Sequence, residues 1–313
     1  MHVYQEELLH FFPVNAQSRL KMFYQYVLLP FIFLASVYSP QSNAQAVHIE
    51  VEGEGRDVVL IPGLMSDNRT WQSLRQGLSQ RYRLHLVEFS GFSNLEPMLQ
   101  ADELLPQART ELQKYIQNEK LQRPVVIGHS VGGFLAIWLA VTAPGQTGPI
   151  ISLDGLPYYG PVITYNSDVT VDQMKETANL LEFSFEELTS EAMIEQSIGN
   201  LPIQSMREDN QQLILEMMTN SDPRSVGGVM ADMLRTDLRG DLSLLESPML
   251  LIGATGPAKD TPLEEVMYRV YEEELLQASE AELIFNSESG HFLQLDQPEW
   301  VLEQIIRFLD QHP

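Results

Sequence analysis

The sequence predicts an α/β fold in which a mostly parallel sheet is covered by helices on both faces. Short apolar runs such as DVVLI at 57–61 are typical of strands that are buried on both sides. These runs alternate with helical patterns along the chain, which favours parallel strands joined by crossover helices. The size and composition agree, because 313 residues with 44% hydrophobic residues can bury a large core.

The individual elements follow from residue spacing and turn residues. The segment 47–52 alternates as a half-buried strand does, Pro62-Gly63 ends the second strand, and 101–121 carries its charges on one side of a helix. In chain order the predicted strands are 47–52, 57–61, 82–89, 124–127, 149–153, 248–253 and 281–285. The predicted helices of the same region are 70–79, 101–121, 131–142, 261–278 and 298–310.

One segment, 157–240, shows helical patterns without a convincing strand, and we predict that it is a helical cap inserted into a core of 47–156 and 241–313. Within it, Ser184 begins a capping-box pattern flanked by Phe183 and Leu188, and Asp222 precedes a proline, so helices are expected to start near both sites. Flexible thioether side chains suit an adaptable apolar lining. The segment holds seven of the 13 methionines: Met174, Met193, Met206, Met217, Met218, Met230 and Met233.

The first 46 residues are predicted to be a signal peptide with an N-terminal extension. Arg19 and Lys21 precede an apolar run at 22–38, and Ala44-Gln45-Ala46 follows as a cleavage motif after Ala46. Export to the periplasm or the medium is the expectation, with no stable membrane insertion after cleavage. A membrane anchor through 22–38 is the alternative, and translation from Met1 or from Met22 stays open.

The charge and cysteine content exclude several classes of function. The chain has 19 Lys and Arg against 43 Asp and Glu, a formal net charge of −24, which argues against nucleic acid and anionic membrane surfaces as partners. It contains no Cys, so disulfides, thiolate nucleophiles and Cys-ligated metals are excluded. No metal-binding motif is visible among the histidines and carboxylates, and no cofactor is implied.

The strongest chemical signal is the sequence Gly128-His129-Ser130-Val131-Gly132. It lies between the buried strand PVVI and an apolar helix, which is the strand, turn and helix context of a G-x-S-x-G nucleophile elbow. Gly128 and Gly132 leave room for the strained turn that exposes the Ser130 hydroxyl. Because a serine hydroxyl is a weak nucleophile, the elbow requires a histidine base and an orienting carboxylate.

Elimination leaves His291 as the base. It lies on the loop that follows the strand AELIF, at the carboxyl edge of the sheet where ligands bind in open α/β folds. The other histidines lie in the predicted leader, inside strands, within the elbow or at the penultimate position: His2, His10, His48, His85, His129 and His312.

The order of Ser130, an acid and then His291 resembles the α/β-hydrolase family over nearly all of 47–313. The matching pieces are GHSVG, IPGL at 61–64 and GHFLQLDQPEW at 290–300, with a DGLP segment typical of exported bacterial members. The resemblance implies that the backbone N–H groups of Leu64 and Val131 form the oxyanion hole. Two such donors stabilise the charge of a tetrahedral intermediate.

The acid departs from the usual pattern of the family. After Gly253 the chain reads ATGPAKD, so the common positions carry no carboxylate. Asp154, at the end of the strand PIISLD, is the preferred acid because a strand end fixes a side chain well. Asp260 is the alternative if its loop is longer than usual.

These residues predict a serine hydrolase that cleaves a carboxylic ester through an acyl-enzyme, with a small, neutral and largely apolar molecule as substrate. An aminopeptidase or amidase is the first alternative, because the cap carries 14 acidic residues against five basic ones and could favour a cationic amine. A non-catalytic small-molecule binder of the same fold is the second alternative.

Overall fold

The computed structural model describes residues 45–98, 100, 103–278 and 280–313. Most of the predicted leader, the alternative anchor at 22–38 and the start of the helix predicted at 101–121 lie outside these residues. Within the described part of the chain, no helix is long and apolar enough to cross a membrane.

A seven-stranded sheet forms the centre of the fold and confirms the predicted α/β class. Its spatial order is β1-β3-β2-β4-β5-β6-β7; β1 pairs with β3 in the antiparallel direction, and every other neighbouring pair is parallel. The strands are β1 (Val47–Glu52), β2 (Arg56–Ile61), β3 (Tyr82–Phe89), β4 (Val125–His129), β5 (Ile150–Leu153), β6 (Met249–Ala254) and β7 (Glu282–Asn286).

Helices cover both faces of the sheet. Two separate apolar clusters, one on each face, explain why the central strands read as continuous hydrophobic runs. The core helices are α1 (Gln72–Leu78), α2 (Leu104–Asn118), α3 (Val131–Thr142), α10 (Pro262–Glu274), α11 (Leu293–Asp296) and α12 (Pro298–Gln311). The first cluster includes side chains of α2, α3 and α10, and the second includes side chains of α1, α11 and α12.

The segment between β5 and β6 is helical, and none of its residues at 157–240, all of which are described, forms a strand. Asp222 accepts a hydrogen bond from the Ser225 amide at the start of the helix Pro223–Arg235, as its position before a proline predicts. The helices of this segment are α4 (Gly160–Thr164), α5 (Val171–Glu186), α6 (Ser190–Ile198), α7 (Leu201–Gln204), α8 (Glu208–Met218) and α9 (Pro223–Arg235).

The helix start expected at Ser184 is wrong. Ser184 lies inside α5, where its hydroxyl donates to the carbonyl of Leu180 one turn earlier, and Phe183 is 64% exposed instead of forming a hydrophobic staple. The next helix, α6, begins after Thr189, whose side chain accepts from the Ala192 amide. The capping pattern at Ser184 therefore does not start a helix, because α5 continues through it and packs against α9.

Arg239 ties the start of the helical segment to the core. Its Nη2 donates to the Val169 carbonyl at 2.8 Å, and its guanidinium lies 4.7 Å from the centre of the Tyr158 ring. Its Nη1 lies 3.3 Å from Oε1 of Glu274, a fully buried carboxyl whose Oε2 also accepts from the Tyr158 amide at 3.0 Å. Burial raises the pKa of Glu274 to about 8 despite the nearby guanidinium.

This raised pKa makes stability depend on pH. An acid whose pKa is higher in the folded state stabilises the fold fully at pH values below its unfolded-state pKa of 4.5. That stabilisation is lost as the pH rises through the folded-state pKa of about 8. From pH 5.5 to 8, the unfolding free energy of the wild type should fall by on the order of 3 kcal/mol more than that of Glu274→Gln. Urea unfolding at both pH values measures this, with exposed Glu273→Gln as control. Parallel pH curves for wild type and Glu274→Gln would contradict the buried, protonated state.

Candidate active site

Ser130 lies in the strained turn that the elbow sequence predicts. It separates β4 from α3, and its backbone has φ 55° and ψ −121°, a left-handed value that is rare for a residue with a side chain. A Cβ atom at Gly128 would lie 2.0 Å from the Gly132 carbonyl oxygen, and one at Gly132 would lie 2.1 Å from the Ile61 carbonyl oxygen. Both glycines are therefore required for the turn to pack against β2 and α3.

The structure brings Asp154 to His291. Asp154 follows β5, and its Oδ2 lies 2.5 Å from Nδ1 of His291. Its Oδ1 accepts hydrogen bonds from the Ala254 amide at 2.8 Å and from the Tyr271 hydroxyl at 2.6 Å. Asp260 is exposed instead, and its backbone amide donates to Glu264, so the carboxyl that contacts the imidazole is the one at the end of β5.

The loop between β7 and α11 carries His291. With Nδ1 directed at Asp154, the other ring nitrogen, Nε2, is the one free to act as a base. The backbone of this loop pairs with the end of α7: the His291 amide donates to the Ile203 carbonyl at 3.0 Å, and the Phe292 amide donates to the Gln204 carbonyl at 2.8 Å. The His291 loop is thus fixed against the helical segment.

His129 supports the same loop from below. Its Nε2 donates to the His291 carbonyl at 2.9 Å, and the two imidazole rings lie 4.7 Å apart between centres. Burial, and then the neighbouring His291, lower the pKa of His129 well below its ordinary value, so it stays neutral. His129 is therefore a neutral hydrogen-bond donor in the elbow.

Asp296 joins the helical segment to the His291 loop. Its Oδ2 accepts from the amides of Gly290 at 2.9 Å and Met206 at 2.8 Å, and its Oδ1 accepts from the Asn210 side chain at 2.9 Å. The Ser205 hydroxyl also donates to Oδ1. A single buried carboxylate thus receives donors from both the His291 loop and the α7–α8 junction.

The residues expected to form an oxyanion hole flank Ser130. Leu64 follows Gly63, where an added Cβ would lie only 3.3 Å from the Ser130 Cβ, so the IPGL segment packs directly on the elbow. Val131 is the first residue of α3, and the first four N–H groups of a helix have no acceptor within the helix. Both positions are consistent with donation towards an atom bound beside Ser130.

A cavity of about 500 Å³ opens beside these residues. Ser130, His291 and Asp154 line it together with an aromatic and aliphatic wall. Among the described residues, the lining includes five methionines: Met65, Met218, Met230, Met233 and Met267. Met218, Met230 and Met233 belong to the set that the sequence suggested as an adaptable lining. No described Lys, Arg or Glu lines the cavity. Met174, Met193 and Met217 are instead buried core residues, and Met206 is exposed. The cavity therefore favours neutral, apolar groups.

Within the described ranges, no three His, Asp or Glu side chains come together as a metal site requires.

Sequence reasoning missed two residues of the site, Tyr271 and Asp296. Tyr271 lies at helical spacing from Met267 and Glu274, a pattern typical of core packing, and Asp296 is part of the GHFLQLDQPEW segment without any local sign of its role.

The chain belongs to the alpha/beta hydrolase family, whose model matches residues 58–304. The fold and the strained elbow agree with this membership.

The relatives of this chain include proteins named as methyl ester esterases. The chain is 30% identical over 114 residues to a pimeloyl-[acyl-carrier protein] methyl ester esterase of Aliivibrio fischeri strain MJ11, a match covering 36% of this chain and 42% of that protein. Another protein of that name, from Nitrosospira multiformis, is 25% identical over 271 residues, which covers 84% of this chain and 98% of the relative. The match to the Aliivibrio fischeri protein thus spans about two fifths of that relative, and the match to the Nitrosospira multiformis protein spans nearly all of that relative.

Solved structures show the same fold at low sequence identity. The enol-lactonase of Burkholderia xenovorans LB400 superposes with a TM-score of 0.68 at 17% identity, covering 84% of this chain and 96% of that one. An esterase from Exiguobacterium antarcticum gives a TM-score of 0.68 at 20% identity, with 85% and 98% covered.

Proposed function

We propose that this protein is a serine hydrolase of carboxylic esters, with Ser130 as nucleophile, His291 as base and Asp154 as the orienting acid. The observation that carries the proposal is the 2.5 Å contact between Asp154 and His291 beside a cavity that also contains the strained Ser130. The names of the relatives, methyl ester esterase and enol-lactonase, support the ester as the bond cleaved.

The reaction takes place in two halves. The Ser130 oxygen attacks the ester carbonyl while Nε2 of His291 takes its proton, and the same proton then goes to the leaving alcohol as the C–O bond breaks. Water, deprotonated by His291, next attacks the acyl-enzyme. His291 then returns the proton to the Ser130 oxygen as the C–O bond breaks, which releases the carboxylic acid and regenerates Ser130. Asp154 holds the imidazole in the required tautomer and stabilises its positive charge in both halves.

The oxyanion of each tetrahedral intermediate is proposed to bind between the backbone N–H groups of Leu64 and Val131. The position of Leu64 after the tight IPGL turn and of Val131 at the start of α3 supports this role. Preorganised donors of this kind contribute several kcal/mol to transition-state stabilisation, on the order of 3 kcal/mol for each.

The substrate is proposed to be a small, neutral and largely apolar ester. The methionine-rich lining supports this, and so does the charge of the insertion, because none of its acidic residues lines the cavity. An aminopeptidase would place carboxylates where a substrate ammonium binds. We also propose that 157–240 acts as the cap that sets specificity and that 47–156 and 241–313 form the catalytic core.

Loss of the Ser130 hydroxyl should abolish turnover. Wild type should hydrolyse p-nitrophenyl esters faster than aminoacyl anilides and should be labelled by a fluorophosphonate, whereas Ser130→Ala should lose at least about a thousandfold in kcat and all labelling. Ser184→Ala, on the exposed side of α5, is the matched control and should behave as wild type. Faster anilide cleavage would favour an amidase, and absence of labelling in the wild type would favour a non-catalytic binder.

The two candidate acids should respond differently to amide substitution. Asp154→Asn should lower kcat at least about a hundredfold, because an amide neither holds the His291 tautomer nor stabilises the imidazolium. Asp260→Asn, on the exposed surface, should leave kcat within about twofold. Steady-state kinetics on one p-nitrophenyl ester compares them, and normal turnover by Asp154→Asn would remove Asp154 from the mechanism.

Export through the first 46 residues is proposed on the apolar run that follows Arg19 and Lys21. After cleavage the new terminus at Val47 would lie beside Glu111, whose Oε2 accepts from the Val47 amide at 3.2 Å. Mass spectrometry of the secreted or periplasmic protein should give Val47 as its first residue. An intact chain in the membrane fraction would instead favour the anchor at 22–38.

A further inference from the structure

Tyr271 is a buried tyrosine whose hydroxyl points at the acid of the site. It lies on α10, is 7% exposed, and donates to Oδ1 of Asp154 at 2.6 Å. Its ring is fixed on two sides: the Phe285 ring meets it edge-on at 5.4 Å between centres, and a Cβ at Gly253 would lie 2.8 Å from it. The ring therefore has little freedom to move away from Asp154.

The positions of Asp154 and His291 on the sheet explain why the Asp154 carboxylate needs hydrogen bonds that orient it. Asp154 follows β5, His291 follows β7, and β6 lies between them in the sheet. The carboxylate must therefore cross the end of β6, where Gly253 and Ala254 are small. There, Oδ1 accepts from the Ala254 amide and the Tyr271 hydroxyl, which leaves Oδ2 directed at His291.

We propose that Tyr271 is a positioning residue that holds the Asp154 carboxylate in the orientation that His291 requires. The inference rests on the proposed function, because it assigns Tyr271 a role only if Asp154 serves His291 in ester hydrolysis. Two donors on one oxygen fix the rotation of the carboxylate, and hydrogen bonds to the charged form favour that form. With only the Ala254 amide left, the carboxylate would be freer to rotate away from His291.

The hydroxyl remains a donor over the working pH range. Burial and the adjacent Asp154 carboxylate raise the pKa of Tyr271 well above its ordinary value. The titratable side chains around Asp154 are His291 from the β7–α11 loop and Tyr271 from α10, with His129 behind the His291 ring. Glu274, one turn further along α10, is paired with Arg239 and Tyr158 instead.

Tyr268 provides a matched control on the same helix. Its ring also meets Phe285 edge-on, at 4.5 Å between centres, but its hydroxyl donates to Glu264 at 2.8 Å and not to Asp154. Removing either hydroxyl leaves the aromatic packing in place. A difference between the two variants therefore reports on the contact with Asp154.

The test compares Tyr271→Phe with Tyr268→Phe on one p-nitrophenyl ester from pH 5 to 9. Tyr271→Phe should lower kcat about tenfold with KM within about twofold, and should move the acid limb of kcat/KM to higher pH by about half a unit or more. Tyr268→Phe should match wild type in kcat and in pH profile. Wild-type kcat and an unmoved acid limb in Tyr271→Phe would overturn the inference.

A tyrosine with fluorine on its ring, incorporated at position 271, provides a test that does not depend on removing the hydroxyl. The fluorinated phenol is a stronger donor of nearly the same size, so the acid limb should move to lower pH, opposite to Tyr271→Phe. An unmoved limb would also contradict the inference. If the wild type neither hydrolyses esters nor takes up fluorophosphonate, the proposed function itself fails.

Discussion

The hydrogen bond from His291 to Asp154 is the contact on which the geometry of the site depends. It joins two loops that follow β5 and β7, while the elbow follows β4. Because these strands are parallel, their carboxyl ends meet at one edge of the sheet, and residues far apart in sequence become neighbours there. The sheet therefore determines how far apart Ser130, Asp154 and His291 lie, and the loops determine the orientation of their side chains.

The helical segment between β5 and β6 contacts the His291 loop directly. The backbone of the His291 loop pairs with Ile203 and Gln204 at the end of α7, and Asp296 receives donors from both sides of that junction. The segment also supplies three of the five methionines of the cavity wall. One insertion thus lines the apolar pocket and contacts the loop that carries His291, so changes in pocket shape are expected to shift His291 as well.

Much of this arrangement follows from short-range sequence signals. The buried strands, the Ser130 elbow and the Asp222 helix start were predictable because apolar runs, paired glycines and an Asp-Pro pair each act locally. Ser184 shows the limit of such signals, since its capping pattern lies within a helix that tertiary packing extends.

Residues defined by contacts across the fold were harder to predict. The choice between Asp154 and Asp260 depends on which loop reaches His291, and nothing in the sequence states that distance. Tyr271 and Asp296 look like a core aromatic and a helix-end acid in the sequence. Their partners lie 117 and up to 91 residues away. The partners of Tyr271 and Asp296 become visible only in the folded structure, where the sheet and the insertion bring them together.

The central claim is that Ser130, His291 and Asp154 act as one unit beside the cavity. A crystal structure of the fluorophosphonate-treated protein tests it most directly. We expect phosphorus bonded to the Ser130 oxygen, the phosphonyl oxygen within hydrogen-bonding distance of the Leu64 and Val131 amides, and His291 still bonded to Asp154. An adduct on another residue, or a phosphonyl oxygen directed away from both amides, would contradict the account.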